Sequence, residues 1–336
     1  KNKPLIVKEK LRKIKKQKFY SDRDLRYAKQ AISFMEKSNW KDAKKAASKA
    51  PEVKAFFDND SNTVSYVVTD PATKKAAIID SVMDFDYASG TISYDHADMI
   101  IEYVTTQKLD VEWLIETHVH ADHLSAAPYI QQKLGGKLGI SDRISEVQKV
   151  FGKMFNAGTE FERDGSQFDQ LFADRDRYKI GELDGVAIAT PGHTPACMVH
   201  LIGDAVFVGD TLFMPDGGTA RADFPGGDAR TLYQSIQKIL ALPDETRMFV
   251  CHDYAPNGRE FLWETTVGAQ RANNIHVGNN ASEDGFVEMR EKRDASLAMP
   301  RLIMPSIQVN MRAGHMPDAE ENGATYLKVP IQGLKG

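Results

Sequence analysis

The sequence predicts an α/β protein that carries a basic helical extension at its N-terminal end. From residue 51 onward, short apolar stretches alternate with amphipathic stretches of helical length, which indicates strands separated by helices. Residues 1–50 instead hold 17 basic and 5 acidic residues, a net charge of +12, whereas the rest of the chain holds 26 and 42, a net charge of −16. We therefore divide the chain into an extension of unknown function, residues 1–50, and a catalytic domain, residues 51–336.

The composition excludes several classes of protein. Of 336 residues, 42% are hydrophobic and 27% are charged, as in a globular protein. The apolar runs are far shorter than the roughly 20 residues of a membrane span, and no signal segment opens the chain. Two cysteines, Cys197 and Cys251, are too few for a disulfide framework, so we expect buried thiols near the site. We expect a cytoplasmic protein with no membrane partner.

The basic extension predicts two helices, one after the helix-start sequence at residues 21–24 and one over residues 40–50. Such a charge is typical of nucleic-acid or anionic-membrane binding. A solvated helical hairpin, a fused piece or a cap on the acidic domain accounts for the same residues without either partner. We adopt that simpler interpretation and expect no nucleic-acid partner.

The first predicted strands are residues 64–68 and 76–80, which are joined by the turn at residues 70–73. Asp80 ends the second strand, where its carboxylate either fixes a neighbouring loop or caps a turn. A helix over residues 96–108 would then cover the sheet. Its predicted buried face consists of Met99, Ile100, Tyr103 and Val104.

The loop after the next predicted strand, residues 111–115, carries the strongest chemical signal. Residues 117–123 read Thr-His-Val-His-Ala-Asp-His, which places His118, His120, Asp122 and His123 within six positions. Three imidazoles and a carboxylate this close together would repel or desolvate one another unless a cation organised them. Loops at the carboxyl ends of strands are also where α/β folds place their chemistry. We therefore predict a metal centre here.

The second half of the domain continues the alternation of strands and helices. Residues 155–178 are polar and weakly patterned, and we interpret them as a long loop over one edge of the sheet, with an active-site wall as one alternative. The remaining predicted elements are a helix at 126–134, strands at 137–140, 186–189, 198–202, 205–208 and 248–250, and a helix at 229–242.

Three of these strands end in further ligand-type residues. His193 lies in the rigid turn Thr-Pro-Gly-His-Thr-Pro at residues 190–195, Asp210 follows the strand at 205–208, and His252 follows the strand at 248–250. Each is ambiguous alone, but all three end predicted strands at the same sheet edge as the motif. The other histidines are interpreted as structural, namely His96, His200, His276 and His315.

The ordered series of the 117–123 motif, Gly192-His193, Gly209-Asp210 and His252 resembles the metallo-β-lactamase superfamily over about residues 52–335. The resemblance implies an αββα sandwich, in which two mixed sheets pack face to face with helices outside and the metal site at one edge. The order of strands and helices agrees with that architecture but does not by itself distinguish it from a doubly wound sheet.

Within that superfamily, Asp210 resembles the glyoxalase II and persulfide dioxygenase branch, because several true β-lactamases have Cys at that position. Four further segments are similar to the persulfide dioxygenase family, and nearest to its β-lactamase-hydrolase-like bacterial members. These segments are residues 192–197, 220–224, 252–254 and 310–314. The sulfurtransferase-like domain that such members often carry has no counterpart in residues 1–50, which contain no Cys.

The resemblance implies an iron-dependent persulfide dioxygenase that oxidises glutathione persulfide with O2 to glutathione and sulfite. His118, His193 and Asp210 would bind one Fe2+ per chain, since two imidazoles and one carboxylate suit ferrous iron and leave positions open for O2 and a sulfur anion. Four neighbours would hold the ligands and water by hydrogen bonds without binding iron. They are His120, Asp122, His123 and His252.

The alternative hypothesis uses the same residues for two Zn2+ ions. His118, His120 and His193 would bind one zinc, Asp122, His123 and His252 the second, and Asp210 would bridge them. Such a site generates a hydroxide that hydrolyses a thioester such as lactoylglutathione, the reaction of glyoxalase II. Against it, the acids of the C-terminal segment do not form an obvious glutathione clamp. They are Glu283, Asp284, Glu288 and Glu291.

The candidate catalytic residues beside the metal are Asp122, His120 and Tyr254. For substrate binding we predict Arg221 and Tyr254, because a guanidinium just past Asp210 can form a bidentate pair with a glutathione carboxylate. The alternative for Arg221 is a structural salt bridge to Asp216 or Asp223. The sequence leaves a homo-oligomer open.

Overall fold

The structure is a computed structural model that describes residues 50–331. The predicted helices of the basic extension, residues 1–50, therefore lie outside the described residues apart from Ala50, and they stay a prediction. In the described range, no helix is both long enough and apolar enough to cross a bilayer.

The first half of the domain alternates strands and helices as expected. In chain order its elements are β1 (Glu52–Asp58), β2 (Thr63–Thr69), β3 (Lys75–Ile79), β4 (Val82–Asp86), β5 (Thr91–Ser93), α1 (Asp95–Thr106), β6 (Asp110–Ile115), β7 (Leu124–Ser125), α2 (Ala127–Leu134), β8 (Lys137–Ser141) and α3 (Ile144–Met154).

The second half contains the second large sheet and a helical C-terminal segment. Its elements are β9 (Gln170–Phe172), β10 (Arg177–Ile180), β11 (Leu183–Ala189), β12 (Met198–Ile202), β13 (Ala205–Phe207), α4 (Ala229–Leu240), β14 (Arg247–Phe249), β15 (Glu264–Thr266), α5 (Val267–Asn273), α6 (Glu283–Asp294) and α7 (Ile303–Asn310).

Two six-stranded mixed sheets form the centre of the fold. The first has the order β1-β2-β3-β6-β8-β9, antiparallel from β1 to β3 and parallel from β3 to β9. The second has the order β10-β11-β12-β13-β14-β15 and is antiparallel except between β13 and β14. A small third sheet has the strand order β5-β4-β7. The chain therefore has the mixed αββα architecture that the resemblance implies.

Strand β2 shows how the two apolar layers arise from one sequence. Val64, Tyr66 and Val68 belong to the core that the two sheets share, whereas Val67 belongs to the core between the first sheet and the helices. Successive side chains of a strand point to opposite faces, so a strand buried on both faces is mainly apolar, and the buried Ser65 of β2 donates a hydrogen bond to Asp80 O. The helices α1, α2, α3 and α7 contribute residues to the second core.

Side-chain caps mark the starts of three later helices. Asp228 accepts a hydrogen bond from Thr231 N at the start of α4, Thr266 caps α5, and Ser282 caps α6. Each satisfies a backbone amide that the helix itself leaves without a partner. These caps define the first residues of α4, α5 and α6.

Two sequence predictions need correction. The helix predicted at 96–108 runs from Asp95 to Thr106, and Met99 is 49% exposed, because the face that packs inward centres on Ala97, Ile100 and Val104. The loop predicted at 155–178 contains β9 and the start of β10. These short strands form by pairing with β8 and β11, which local sequence does not reveal. The helix α3 was not predicted.

Candidate metal centre

Four loops at one edge of the two sheets bring the predicted ligands together. The 117–123 motif follows β6, His193 lies between β11 and β12, Asp210 follows β13, and His252 follows β14. The backbone joins the two sheets here, since Met198 N donates to Thr117 O at 2.9 Å. Gly192 lets the His193 loop reach α4, because a Cβ at this position would lie 2.3 Å from Leu232 backbone atoms.

His118, His193 and Asp210, which we name the His118 group, place three donor atoms within 4.8 Å of one another. Asp210 Oδ2 lies 3.8 Å from His118 Nε2 and 3.6 Å from His193 Nε2. All three residues are buried. Two imidazole nitrogens and a carboxylate oxygen at this spacing can hold one metal ion.

Hydrogen bonds orient both imidazoles of the His118 group. His193 Nδ1 donates to Arg221 O at 2.7 Å, so its Nε2 carries the lone pair that faces Asp210. Thr117 Oγ1 donates to Asp80 and lies 3.0 Å from His118 Nδ1, which leaves His118 Nε2 free. Burial, and then the neighbouring imidazoles, lower the pKa of His118, which favours the neutral form that metals require.

His120 has different partners. Its Nε2 lies 2.9 Å from Asp80 Oδ1 and 3.3 Å from Glu116 Oε2, while its Nδ1 has no hydrogen-bond partner. Its ring centroid lies 4.1 Å from that of His118 and 4.2 Å from that of His123. Burial opposes its charge, but Asp80 and Glu116 together raise the pKa of His120. Asp80 also accepts from Thr117 N, so its carboxylate fixes the motif loop, one of the two roles considered for it.

Asp122, His123 and His252, which we name the Asp122 group, lie on the other side of Asp210. His252 Nε2 is 3.2 Å from Asp210 Oδ1 and 3.4 Å from Asp122 Oδ2. His123 Nδ1 is 3.1 Å from Asp122 Oδ2. Asp210 thus directs one oxygen to each group.

The buried donors fit a metal ion in these positions. Several nitrogen and oxygen atoms that face the centre have no hydrogen-bond partner, although leaving such atoms unsatisfied costs about 1–3 kcal/mol each. They are His118 Nε2, His120 Nδ1, His123 Nε2, His252 Nε2 and Asp210 Oδ1. Metal coordination satisfies lone pairs of this kind, and the donor set is that of iron or zinc.

Both cysteines are buried thiols near the site, as expected. Cys197 contacts Thr194, and burial raises the pKa of Cys197 to about 12. Cys251 Sγ lies 3.6 Å from Asp80, and burial and that carboxylate raise the pKa of Cys251 as well. Thiols that stay protonated are poor nucleophiles.

A cleft opens beside His193 and Asp210, and basic and aromatic side chains line it. Arg293 of α6 and Arg301 face this cleft, and neither guanidinium forms a hydrogen bond or ion pair with any residue from 50 to 331. Sequence analysis considered only the acids of this segment and did not single out either arginine. The sequence signal for a basic helix face was the i, i+3 spacing of Arg290 and Arg293.

Arg221 also lines the cleft, but its guanidinium has partners. It forms a bidentate pair with Asp223, at 2.6 and 2.8 Å, and donates to Ala298 O at 2.7 Å. The salt bridge that the sequence left as an alternative is therefore present, with Asp223. Asp216 pairs with Arg259 instead. A role for Arg221 in substrate binding stays a prediction.

Tyr254 lies at the cleft mouth and is 56% exposed. Its ring stacks on His252 with a centroid distance of 6.0 Å and meets Phe213 edge-on at 5.9 Å. The structure thus places the ring beside His252, and the hydroxyl has no hydrogen-bond partner among the described residues. Its predicted catalytic and substrate roles are compatible with this position and stay predictions.

The other histidines lie apart from the metal centre. His96 contacts Ser65, His200 contacts Tyr178, His276 contacts Thr219, and His315 is exposed. Asn310, in the 310–314 segment noted above, donates to the backbone of two motif histidines. Sequence analysis missed Glu116 and Thr63, which hold the ligands by hydrogen bonds. Single polar residues of this type carry no motif, so only the fold identifies them.

Comparison with known proteins agrees with this site. The family model described as "Metallo-beta-lactamase superfamily" matches residues 58–252. The chain is 51% identical over 292 residues to a "probable metallo-hydrolase" of Burkholderia pseudomallei, covering 84% of this chain and 99% of that protein. It is 46% identical over 286 residues to "glyoxylase B2" of Dictyostelium discoideum, covering 84% and 98%.

More distant matches carry a different name. The chain is 28% identical over 265 residues to the mitochondrial "persulfide dioxygenase ETHE1" of Bos taurus, covering 78% of this chain and 88% of that protein. The crystal structure of ETHE1 from Myxococcus xanthus superposes with a TM-score of 0.62 at 28% identity, covering 79% of this chain and 100% of that one.

Proposed function

The chain belongs to the metallo-beta-lactamase superfamily and is a metal-dependent enzyme, and on that premise we propose that residues 51–336 are its catalytic domain and act on an anionic thiol-derived substrate. The observation that carries the proposal is the convergence of buried, unpartnered donor atoms beside a cleft that Arg293 and Arg301 line.

The first candidate reaction is hydrolysis of a thioester. It is supported by the hydrolase and glyoxylase names of relatives at 51% and 46% identity. The position of Asp210 between the His118 group and the Asp122 group also suits a carboxylate that contacts two ions. Zinc bound there would supply a hydroxide nucleophile and polarise the thioester carbonyl. Asp122, which lines the cleft, and His252, whose Nε2 lies 3.4 Å from Asp122 Oδ2, would orient the attacking water.

The second candidate is iron-dependent oxidation of glutathione persulfide, and a specific observation favours it. The His118 group has all three donor atoms within 4.8 Å, whereas neither trio required for two zinc ions is among the clusters that meet this limit in residues 50–331. His120 instead falls in clusters with Asp122 and His123 and with Cys251 and His252. Iron bound by the His118 group would supply the redox chemistry that O2 needs. The likeness to ETHE1 supports the same candidate.

Both candidates suit a substrate linked to glutathione. Arg293 and Arg301 are available to anions because no described residue pairs with them, and glutathione carries two carboxylates. Phe213 and Phe224 line the same cleft and offer apolar surface to the rest of the peptide. We propose that the reacting sulfur lies at the Asp210 end and a carboxylate at the arginine end.

Metal content and two assays separate the candidates. The protein is purified, bound iron and zinc are quantified, and O2 uptake with glutathione persulfide is measured beside thiol release from lactoylglutathione. Two zinc ions per chain with thiol release and no O2 uptake would support hydrolysis. One iron per chain with O2 uptake and sulfite formation would support persulfide oxidation. Absence of both activities in metal-loaded protein would contradict the proposed substrate class.

Variants test the residue assignments. His118→Ala and Asp210→Ala should abolish metal retention and activity in either case, because each removes a donor of the His118 group. His120→Ala should keep one iron per chain but lower turnover if a single metal is used, whereas it should lose a zinc ion if two are used. His315→Ala is the control, since this exposed histidine lies outside the site.

A further inference from the structure

Thr63, the first residue of β2, lies behind the Asp122 group. Its side chain is fully buried. The hydroxyl oxygen is 3.2 Å from Asp122 Oδ2, 3.2 Å from His123 Nδ1 and 3.4 Å from His252 Nδ1. One hydroxyl therefore contacts all three members of the group.

The backbone holds Thr63 in this position. Thr63 and His252 form an isolated antiparallel bridge, and Val64 N donates to Cys251 O at 2.7 Å. The start of β2 is thus attached to the loop that carries His252. Because the backbone supplies this attachment, loss of the hydroxyl alone should leave the chain path intact.

The direction of each hydrogen bond follows from the neighbouring acceptors. His252 Nδ1 also faces Asn62 O at 3.2 Å, and His123 Nδ1 faces the Asp122 carboxylate at 3.1 Å. Carbonyl and carboxylate oxygens only accept, so both Nδ1 atoms carry hydrogen. Thr63 Oγ1 then shares each of these two hydrogens with the carbonyl or carboxylate oxygen and donates its own hydrogen to Asp122.

A short chain of polar groups stabilises this arrangement from the outside. Ser61 Oγ donates to Thr63 Oγ1 at 2.7 Å. Asp58 Oδ2 accepts from Ser61 N at 2.9 Å. The serine is thereby fixed beside the threonine at the wall of the cleft.

We propose that Thr63 is a positioning residue that holds Asp122, His123 and His252 so that the Nε2 lone pairs of both histidines face the metal centre. The inference rests on the proposed metal-dependent function. It applies to either metal count, because His252 Nε2 also lies 3.2 Å from Asp210 Oδ1 and so positions a member of the His118 group. Partners that orient ligands in this way typically contribute about 10- to 100-fold to metal affinity or activity.

Three variants test the proposal. Thr63→Val keeps the shape of the side chain and removes the hydroxyl, and Thr63→Ser restores the hydroxyl. Thr69→Val is the matched control, a buried threonine on the same strand, at its other end. The dissociation constants of zinc and ferrous iron are measured by competition with a chelator, and the melting temperature reports folding.

We expect Thr63→Val to weaken metal binding about 10- to 100-fold and to lower kcat more than it changes KM. Thr63→Ser should stay within about threefold of the parent protein, and Thr69→Val should match it. A Thr63→Val protein whose metal dissociation constants lie within twofold of the parent's would overturn the proposal. So would equal weakening in Thr69→Val, since that would indicate a general loss of stability.

A crystal structure of the metal-free Thr63→Val protein separates this proposal from the proposed function. Rotated His123 and His252 rings would support positioning by Thr63, even if the parent protein binds no metal and the proposed function fails. Rings that remain in place would overturn the positioning role, even if the parent enzyme is active.

Discussion

Arg293 and Arg301 stand out among individual residues because they face the cleft and form no hydrogen bond or close ion pair within residues 50–331, although the charge of Asp86 attracts Arg301. Other basic residues of the cleft are paired, such as Arg290 with Asp294 and Arg221 with Asp223. A paired guanidinium supports the cleft wall, whereas an unpaired one can bind an anion at a smaller desolvation cost.

We predict that Arg301→Gln and Arg293→Gln each raise KM about 10- to 100-fold for a glutathione-linked substrate and change kcat little. The reason is that each removes a hydrogen bond to a carboxylate, typically about 1.5–3 kcal/mol, far from the reacting sulfur. Steady-state kinetics with glutathione and esterified-glutathione substrates measure this. Arg143→Gln, in an exposed pair with Glu146, is the control. An equal rise in KM for the esterified substrate would contradict carboxylate binding.

His200 provides a pH-dependent prediction. It is fully buried in the core between the sheets, and burial lowers the pKa of His200 from 6.5 to about 4. Between these values the unfolded chain binds a proton that the folded chain does not, so stability falls as the pH drops from 6.5 to 4. The difference corresponds to about 3 kcal/mol below pH 4.

His200→Gln should remove this contribution, because glutamine does not titrate and can still accept a hydrogen bond from Tyr178. We expect the unfolding free energy of the metal-free variant to fall by about 3 kcal/mol less than that of the parent over this pH range. Urea denaturation at a series of pH values measures it. Parallel curves for the two proteins would show that His200 is not the titrating group.

At the scale of elements, α7 secures the metal loop. Its last residue, Asn310, is buried and donates from Nδ2 to His120 O at 2.9 Å and to His123 O at 2.8 Å, and its Oδ1 accepts from Ser125 N at 2.8 Å. One side chain thus satisfies three backbone groups of an irregular loop. This explains why a distant C-terminal segment contributes to the site.

Asn310→Asp should loosen that loop while keeping the size of the side chain. The carboxylate still accepts from Ser125 N but faces two carbonyl oxygens without a hydrogen to donate. We expect a loss of stability of about 2–4 kcal/mol, together with weaker metal retention. Thermal unfolding and metal analysis measure both, with exposed Asn280→Asp as the control. Unchanged stability would indicate that the loop does not depend on α7.

For the whole molecule, the metal centre joins the two sheets. The 117–123 motif belongs to the first sheet, whereas His193, Asp210 and His252 follow strands of the second. A metal that binds the folded state but not the unfolded state stabilises the folded protein. The stabilisation grows with the logarithm of the ratio of the free metal concentration to the dissociation constant. Metal removal should therefore weaken the contact between the sheets.

We predict that removing the metal with a chelator lowers the melting temperature by at least several degrees, and that zinc or ferrous iron restores it. A free metal concentration about 100 times its dissociation constant corresponds to about 2.7 kcal/mol. Differential scanning calorimetry measures the change, and Asp210→Ala provides the control because it should be insensitive to chelation. The same chelator effect in Asp210→Ala would contradict binding at this centre.

The elements differ in how far sequence could predict them. The strands β2, β3, β12 and β13 and the helix α4 were predicted within a few residues, because their apolar periodicity is local. The short strands β9 and β10 and the exposure of Met99 were not, since they depend on which partner each segment meets. The site followed the same division: the motif residues and the 310–314 segment were identifiable, whereas Thr63, Glu116 and the contacts of Asn310 were not.

The sequence by itself determined the family, the seven candidate donors and their order, because spacing within a motif and residues at strand ends are properties of the chain. Only the tertiary structure decided which donors come within 4.8 Å, which nitrogen of each imidazole faces the centre, and which arginines are paired. These depend on contacts between residues far apart in the chain, such as Thr63 with His252 and Asn310 with His123. Local sequence carries no information about such distances, whereas packing of the two sheets sets them.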